Sequence, residues 1–410
     1  MMRFFPVSRL LKATGPRLAL GMTLLLAGCV GSGSMMPPGR VGQAPVVPLP
    51  QPAPGLQPAS GETIGTGPVR VALILPLSGQ GQGAVAAQSM RNAAELALSE
   101  IPNPEITVLV KDDRGTPDGA RIAASEAVGE GADLIIGPLF AGSVRSAGQV
   151  ARQSGKPVIA FSTDATVATR GVYLLSFLVQ AEVDRIVSYA ASQGRRSVAA
   201  LIPETTYGSV AEAQFREAAA RSNLRVVAIE RYPAGQPQGA VQRLAQAIAG
   251  GAPQADALFV PENADGLPVV AQALQGAGVD SRKVKLLGTG LWNEPRVFDV
   301  PGLQGAWFAT PDNRGFNAFA ARYRQRFNAD PIRLATLSYD AVTLAAALTR
   351  VQGSQRFSDE VLTNPAGFAG ADGVFRFNAD GTNERALSVQ EVQTGAAATI
   401  SAAPRSLGGT

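Results

Sequence analysis

The sequence predicts an α/β fold built from two doubly wound parallel-sheet lobes joined by a hinge, and three observations carry that prediction. Short apolar runs rich in Val, Ile and Leu alternate with helical stretches of about 12–16 residues, the pattern of strands buried on both faces by crossover helices. The alternation runs from residue 69 to residue 160 and restarts near residue 182. With 410 residues, 46% of them hydrophobic and 17% charged, the chain is too long for one compact core and has apolar material for two.

In the first block, strand 69–75 stops at Pro76, which cannot donate to a ladder. Ala86, Met90, Ala93, Ala94 and Ala97 recur at helical spacing and define a helix over 84–99. Strand 106–110, helix 117–129, strand 133–136 running into Gly137-Pro138, helix 142–154 and strand 157–160 complete the block. The second block starts with helix 182–193, strand 198–202, helix 210–222 and strand 225–229. Helix 240–248, strand 257–260, helix 267–276 and strand 284–287 follow. Beyond Pro311, helices are expected over 316–327 and 334–350, then a hairpin-like segment over 370–377 with a turn at Asn378-Ala379-Asp380-Gly381. One lobe is therefore expected to comprise 69–178 plus 313–365 and the other 179–312 plus 366–394, with 395–410 a disordered tail.

Ahead of the folded part, Arg3, Arg9, Lys12 and Arg17 flank and precede an apolar run over 18–27 that ends in Leu26-Ala27-Gly28-Cys29. A basic start, a short apolar centre and small residues at a cleavage point define an export signal over 1–28. The run is too short to span a bilayer comfortably. Its closing tetrapeptide resembles the lipobox of bacterial lipoproteins, which implies lipidation of Cys29 and a membrane anchor without a spanning helix. Val30-Gly31 lacks the Asp associated with inner-membrane retention, so the resemblance implies the periplasmic side of the outer membrane. Residues 30–68 hold nine Pro and eight Gly, with only Arg40 and Glu62 charged, so 29–68 is expected to be a lipidated Cys and a disordered linker.

Charge and residue usage remove several function classes. Lys plus Arg number 36 against 32 Asp plus Glu, and all four excess cations lie in the export signal, which has no acid. The mature chain is thus neutral, and a nucleic-acid partner loses its support. The absence of histidine excludes Ser-His-Asp and Cys-His catalysis, and one Cys excludes an internal disulfide and multi-cysteine metal sites. Asp112, Asp113, Glu204 and Glu262 are scattered, so no metal site is expected. Gly79-Gln80-Gly81-Gln82-Gly83-Ala84 satisfies G-x-G-x-x-A, but the acidic pair Asp112-Asp113 follows Ala84 by 28 residues rather than about 20. A glycine-rich turn of a doubly wound lobe is favoured over an exported dehydrogenase. No cofactor is expected and the chain is read as non-catalytic.

In an open parallel sheet, polar turns at the carboxyl ends of the strands line the ligand crevice. Those turns are Leu77-Ser78-Gly79-Gln80, Leu139-Phe140-Ala141-Gly142-Ser143 and Ser162-Thr163-Asp164 in the first lobe. In the second they are Glu204-Thr205-Thr206-Tyr207, Glu262-Asn263-Ala264-Asp265 and Thr289-Gly290-Leu291-Trp292. The candidate cleft residues are Ser78, Gln80, Gly142, Ser143, Ser162, Thr163, Tyr207, Glu262 and Trp292, the last as an apolar wall. Two such rims facing one another would close on a small polar ligand.

Val71-Ala72-Leu73-Ile74-Leu75-Pro76-Leu77-Ser78-Gly79, Ile135-Ile136-Gly137-Pro138-Leu139 and Pro157-Val158-Ile159-Ala160 resemble the first lobe of type I periplasmic binding proteins, the Leu/Ile/Val-binding superfamily. Tyr339-Asp340-Ala341 and Gly373-Val374-Phe375-Arg376-Phe377 resemble its later helix and closing strands, so the likeness spans about residues 69–394. Two branches compete. Activator lipoproteins of penicillin-binding proteins share the Leu-Pro-Leu-Ser-Gly and Ile-Gly-Pro-Leu stretches, and the lipobox and long linker suit a partner reached across peptidoglycan. The branch implies regulation of a peptidoglycan synthase, and it is the first expectation. The alternative is a solute receptor for a branched-chain amino acid, an amide or a related small ligand, docking on an ABC transporter permease. Amino-acid receptors grip the ligand carboxylate with hydroxyls after the third and fourth strands. Here Ala141-Gly142 precedes Ser143, and Ser162-Thr163 is followed by the anionic Asp164.

Overall fold

The computed structural model describes residues 59–248 and 254–407; the export signal, Cys29 and linker residues 30–58 lie outside them. The first lobe contains β1 Thr63–Ile64, β2 Val69–Leu75, α1 Gln82–Ser99, β3 Ile106–Asp112, α2 Pro117–Gly129, β4 Ala132–Ile136, α3 Ala141–Gln153, β5 Val158–Ala160 and β6 Val172–Leu174. The second contains α4 Val179–Ser192, β7 Ser197–Pro203, α5 Thr206–Arg221, β8 Arg225–Tyr232, α6 Gln238–Ile248, β9 Ala257–Phe259, α7 Leu267–Gly276, β10 Lys285–Gly288, α8 Pro295–Phe298 and β11 Trp307–Thr310. The chain then adds α9 Asn313–Phe327, α10 Ala335–Gln352, α11 Asp359–Leu362, β12 Phe368–Gly370, β13 Gly373–Phe377, β14 Asn383–Arg385, β15 Ser388–Gln393 and β16 Ala396–Ser401.

The two lobes repeat one topology. In the first sheet the order is β1-β3-β2-β4-β5-β6, with β2 to β6 parallel and β1 antiparallel on the edge of β3. In the second it is β16-β15-β11-β10-β9-β7-β8, with β7 to β11 parallel and β15 and β16 antiparallel. Each parallel set has its first strand between its second and third, so each sheet carries a switch point where crevices form at the carboxyl ends. This is the expected fold class.

Apolar strands explain the layering, since each must be covered on both faces. In the first lobe one face packs α1 and α10 and the other packs α2 and α3, with Leu73, Ile136 and Val342 on one side and Ile74, Ala124 and Val144 on the other. In the second, α6 and α7 cover one face and α4 and α5 the other. Among the described residues no helix is long and apolar enough to cross a membrane.

Three boundary expectations are corrected. Segment 366–385 belongs with the first lobe: β12, β13 and β14 form their own three-stranded sheet, and Phe375 and Phe377 are 1% and 2% exposed in that lobe's core. Residues 396–401 are not a disordered tail but β16, an edge strand whose small side chains need only the β15 ladder to hold them. The linker also ends early: Thr63–Ile64 pairs with β3, and Ser60 is held by Lys111 and Glu130. Composition hid β1 and β16 because each is stabilised by the strand edge it joins, while 366–385 is held to the first lobe by Phe375 and Phe377.

The chain passes between the lobes three times, at β6 to α4, at β11 to α9 and at β14 to β15. Asn383 Nδ2 and Arg385 Nε both donate to the Ser176 carbonyl, at 3.0 and 3.1 Å, tying the first passage to the third.

Candidate functional site

Between the lobes lies a cavity of about 680 Å³. The first lobe supplies Thr163, Asp164, Ala165 and Thr166 from the turn after β5. Second-lobe walls come from the start of α4 (Val179, Gln180, Glu182), the start of α5 (Thr206, Tyr207, Val210) and the turn after β10 (Gly290, Leu291, Asn293, Glu294). The passages add Phe177, Thr310 and Pro311, and Arg333 and Leu334 come from the turn before α10.

Local chemistry fixes each wall. Thr205 caps α5 by accepting from Gly208 N–H at 3.0 Å, which sets Tyr207 in the first helical turn. A Cβ on Gly208 would lie 2.0 Å from the Pro203 carbonyl oxygen, so only glycine fits there. The Tyr207 hydroxyl donates to Thr289 Oγ1 at 2.8 Å, and burial pushes its phenol above the usual tyrosine range.

Glu182 sits in the first turn of α4, where the helix dipole favours an acid. It is 7% exposed, and its Oε2 accepts from Gly290 N–H at 3.0 Å. Burial pushes its carboxyl up to about 8, against the opposing pull of that hydrogen bond and of Arg333. A Cβ on Gly290 would lie 2.5 Å from Glu182 Oε1, so the glycine makes room for the acid.

The terminal nitrogens of Arg333 are already engaged, while its Nε is buried without a hydrogen-bond partner among the described residues. Its terminal nitrogens donate to Asn313 Oδ1 at 2.6 Å, to Asp372 Oδ1 at 2.6 Å and to the Pro311 carbonyl at 3.3 Å, and it lies 5.0 Å from the centre of the Phe316 ring. Asn293 and Asn313 exchange amide hydrogen bonds of 2.8 and 3.0 Å across the second passage. Asp164 accepts from the Thr166 hydroxyl at 2.6 Å and from Arg145 at 3.2 Å, and the Thr166 hydroxyl and N–H with Arg145 hold its carboxyl below the usual range. Its charge is therefore partly offset, not presented bare to a ligand.

Of the sequence-selected residues, the structure brings Thr163 and Tyr207 together on the cavity. The others do not line it. Ser78 and Gln80 are exposed on the first-lobe rim, where Ser78 N–H donates to Asp112 Oδ1 at 3.2 Å. That bond, with Arg114 N–H on the same oxygen at 2.9 Å, ties the glycine-rich turn to the turn after β3. Gly142 packs against Pro117, and Ser143 is 1% exposed within the first turn of α3. Ser162 accepts from Asp164 N–H at 3.1 Å and braces its own turn. Glu262 is buried, taking the Tyr232 hydroxyl at 2.5 Å and Asn263 N–H at 2.7 Å. Trp292 is fully buried in the core beneath the cleft, so close to Gly288 that a Cβ there would lie 2.2 Å from the indole.

Sequence reasoning missed Gln180, Glu182 and Arg333. The rule of strand carboxyl ends cannot find them, because they sit on the passages and helix starts that flank the cleft. Among the described residues no group of acids is placed to hold a metal ion.

Comparison with the curated proteins gave no match. Solved structures similar to the chain include an ABC-type branched-chain amino acid transporter of Rhodopseudomonas palustris (20% identity, TM-score 0.66, covering 83% of this chain and 96% of that one). Another is the branched-chain amino acid transporter substrate-binding protein of Streptococcus pneumoniae in complex with isoleucine (20% identity, TM-score 0.57, 81% and 99%). A third is a solute-binding protein of an R. palustris ABC transporter in complex with benzoate (17% identity, TM-score 0.58, 84% and 98%). At these identities the likeness concerns the fold, and it agrees with paired sheets of one strand order around an interlobe cavity. The family model described as periplasmic binding protein matches residues 68–397, nearly all of the folded chain. The chain belongs to the periplasmic binding protein family, with the type I fold.

Proposed function

We propose that this protein is a non-catalytic solute receptor that delivers a small ligand to an ABC transporter. The observation that carries the proposal is the cavity itself, walled by residues 163–166 of one lobe and by Glu182, Tyr207 and Gly290 of the other. A solute held there touches both lobes, so its binding energy stabilises their closed arrangement. Relatives of the same fold that hold isoleucine and benzoate support this reading over the synthase-activator branch that the sequence put first.

A thermal-shift screen of amino acids, amides, amines and aromatic acids tests it. A true ligand at about 100 times its Kd is expected to add about 2.7 kcal/mol and raise Tm accordingly. A flat response to every solute, together with co-purification of a penicillin-binding protein, would replace the receptor reading with the activator one.

The Leu26-Ala27-Gly28-Cys29 sequence supports an anchor in the same proposal. Cells fed labelled palmitate are expected to label the wild-type protein and not Cys29→Ala; equal labelling would remove the anchor.

A further inference from the structure

Besides the three passages, a further stretch of chain joins the lobes. β16 runs antiparallel to β15, and its last residue, Ser401, stands opposite Val389, so the second sheet releases the chain beside the third passage. Residues 402–407 then return to the first lobe, where Arg376 Nη1 of β13 donates to the Leu407 carbonyl at 2.8 Å. This crossing differs in kind from the passages. Its far end joins no strand or helix among the described residues and is held by hydrogen bonding.

An arginine of each lobe grips one end. On the second lobe, Arg185 of α4 donates from Nη2 to Ser401 Oγ at 2.6 Å and from Nε to the Leu387 carbonyl at 2.9 Å, clamping the root of the segment to the third passage. On the first lobe, Arg376 is fixed by neighbours other than Leu407. Its Nη2 pairs with Glu384 at 2.8 Å, and its Nη1 also reaches the Pro365 carbonyl at 3.3 Å. A guanidinium already oriented in this way loses less freedom when it takes one more acceptor. Between the two grips the segment is short and stiff. Six residues reach at most about 20 Å, and Pro404 fixes its own φ and disfavours a helical Ala403.

A second cavity, of about 500 Å³, lies where the segment meets both lobes, lined by Leu407, Arg185, Ser188, Arg221 and Glu384. Helix α5 measures its separation from the solute cavity. Thr206 and Tyr207 of its first turn line the solute cavity, and Arg221 at its last residue lines this one. At 1.5 Å per residue the two lie about 20 Å apart. The segment therefore touches no solute in the cleft and can act on it only through the positions of the lobes.

We propose that residues 402–407 are a strap across the hinge, fastened by Arg376, that holds the lobes in the arrangement in which both wall the interlobe cavity. The lobes separate by bending the three passages, which stay covalent, and by letting the strap go at the Arg376–Leu407 bond. The hydrogen bond of a charged group biases such an equilibrium about ten-fold. The strap holds whatever solute the cavity takes, so it goes beyond the receptor reading.

The experiment is double electron–electron resonance on the full chain in detergent, with no solute added. Spin labels on Asp118→Cys and Asp265→Cys report the distance between lobes, and Cys29→Ser removes the native thiol. Both sites are exposed, one on each lobe, just beyond the carboxyl ends of β3 and β9. Arg376→Ala and a chain ending at Ser401 release the strap by two routes. Trypsin cleavage after Arg405, an exposed residue within the strap, reads whether the segment is fastened.

Both variants are expected to raise the population at longer distance about ten-fold over wild type. Cleavage after Arg405 should be about ten-fold faster in Arg376→Ala than in wild type. Should Arg376→Ala fail to fold, the shortened chain decides alone. An unchanged or shortened distance in the variants, a change in one folded variant without the other, or cleavage after Arg405 as fast in wild type as in Arg376→Ala would overturn the strap. The receptor reading stands or falls separately, because no solute enters the test.

Discussion

Trp292→Ala is expected to lose about 3–5 kcal/mol of folding stability, read from the urea midpoint. The indole is fully buried in the second-lobe core, with the Phe308 ring 6.5 Å away and Gly288 directly against it. Truncation removes one of the largest side chains of that core and leaves a cavity that the β-sheet beneath it cannot collapse to fill. Trp292→Phe, which keeps much of the volume, should cost less than half as much. The result separates two roles for this residue. A wall of the cleft would lose solute affinity and little stability; a loss under about 1 kcal/mol would mean the ring is not a core residue.

Lys111→Met carries an effect of similar size at the other end of the molecule. Lys111 and Glu130 are 5% and 2% exposed, joined at 2.7 Å, and Ser60 bonds to both. Removing the lysine strands a buried carboxylate, at a cost of about 3–5 kcal/mol. Lys111→Met combined with Glu130→Leu should recover most of it, because replacing both partners by apolar groups avoids the orphaned charge. Burial alone would raise the Glu130 carboxyl, yet hydrogen bonds from Lys111 and Ser60 and the lysine charge hold it below the usual carboxylate range. A depressed folded-state value means the pair contributes fully at neutral pH and loses that contribution as pH falls below the ordinary carboxylate range. Lys111→Met should therefore differ most from wild type near pH 7 and converge with it in acid. A single-variant loss under about 1 kcal/mol, or a double variant no better than the single, would contradict the account.

The same network tells where the folded part begins. Ser60 is anchored by Lys111 and Glu130, so the first lobe takes in the chain from residue 60 and not from the first apolar strand. Composition could not reveal this. Glycine and proline dominate up to residue 68, and the two-residue β1 exists because β3 offers it an edge.

What the sequence made legible follows the strength of the physical signal. The runs Val71 to Leu75 and Leu134 to Ile136 are apolar because both their faces are covered, and that pattern has no helical alternative at such length. Trp307–Thr310 was missed as β11 because four residues between glycine and proline punctuation are too few for a period. Ala396–Ser401 was missed as β16 because alanine and threonine on an edge strand look like a polar tail.

The cleft was half legible for a related reason. Strand-end turns pointed to Thr163 and Tyr207, but one turn directs neighbouring side chains to opposite sides. In Thr289-Gly290-Leu291-Trp292, Leu291 faces the cavity and Trp292 enters the core. Glu182 entered the sequence analysis only as the first residue of the helix expected over 182–193. An acid in a first helical turn is common enough to need no further explanation, and its distinguishing feature, burial beside a cavity, is a property of the fold.

The central claim is that the interlobe cavity holds the solute. The most direct measurement is a crystal structure of the protein with the solute that most raises its Tm. Density for the solute bounded by Thr163, Glu182, Tyr207 and Gly290 is the predicted result; density elsewhere, with this cavity filled only by water, would contradict the account.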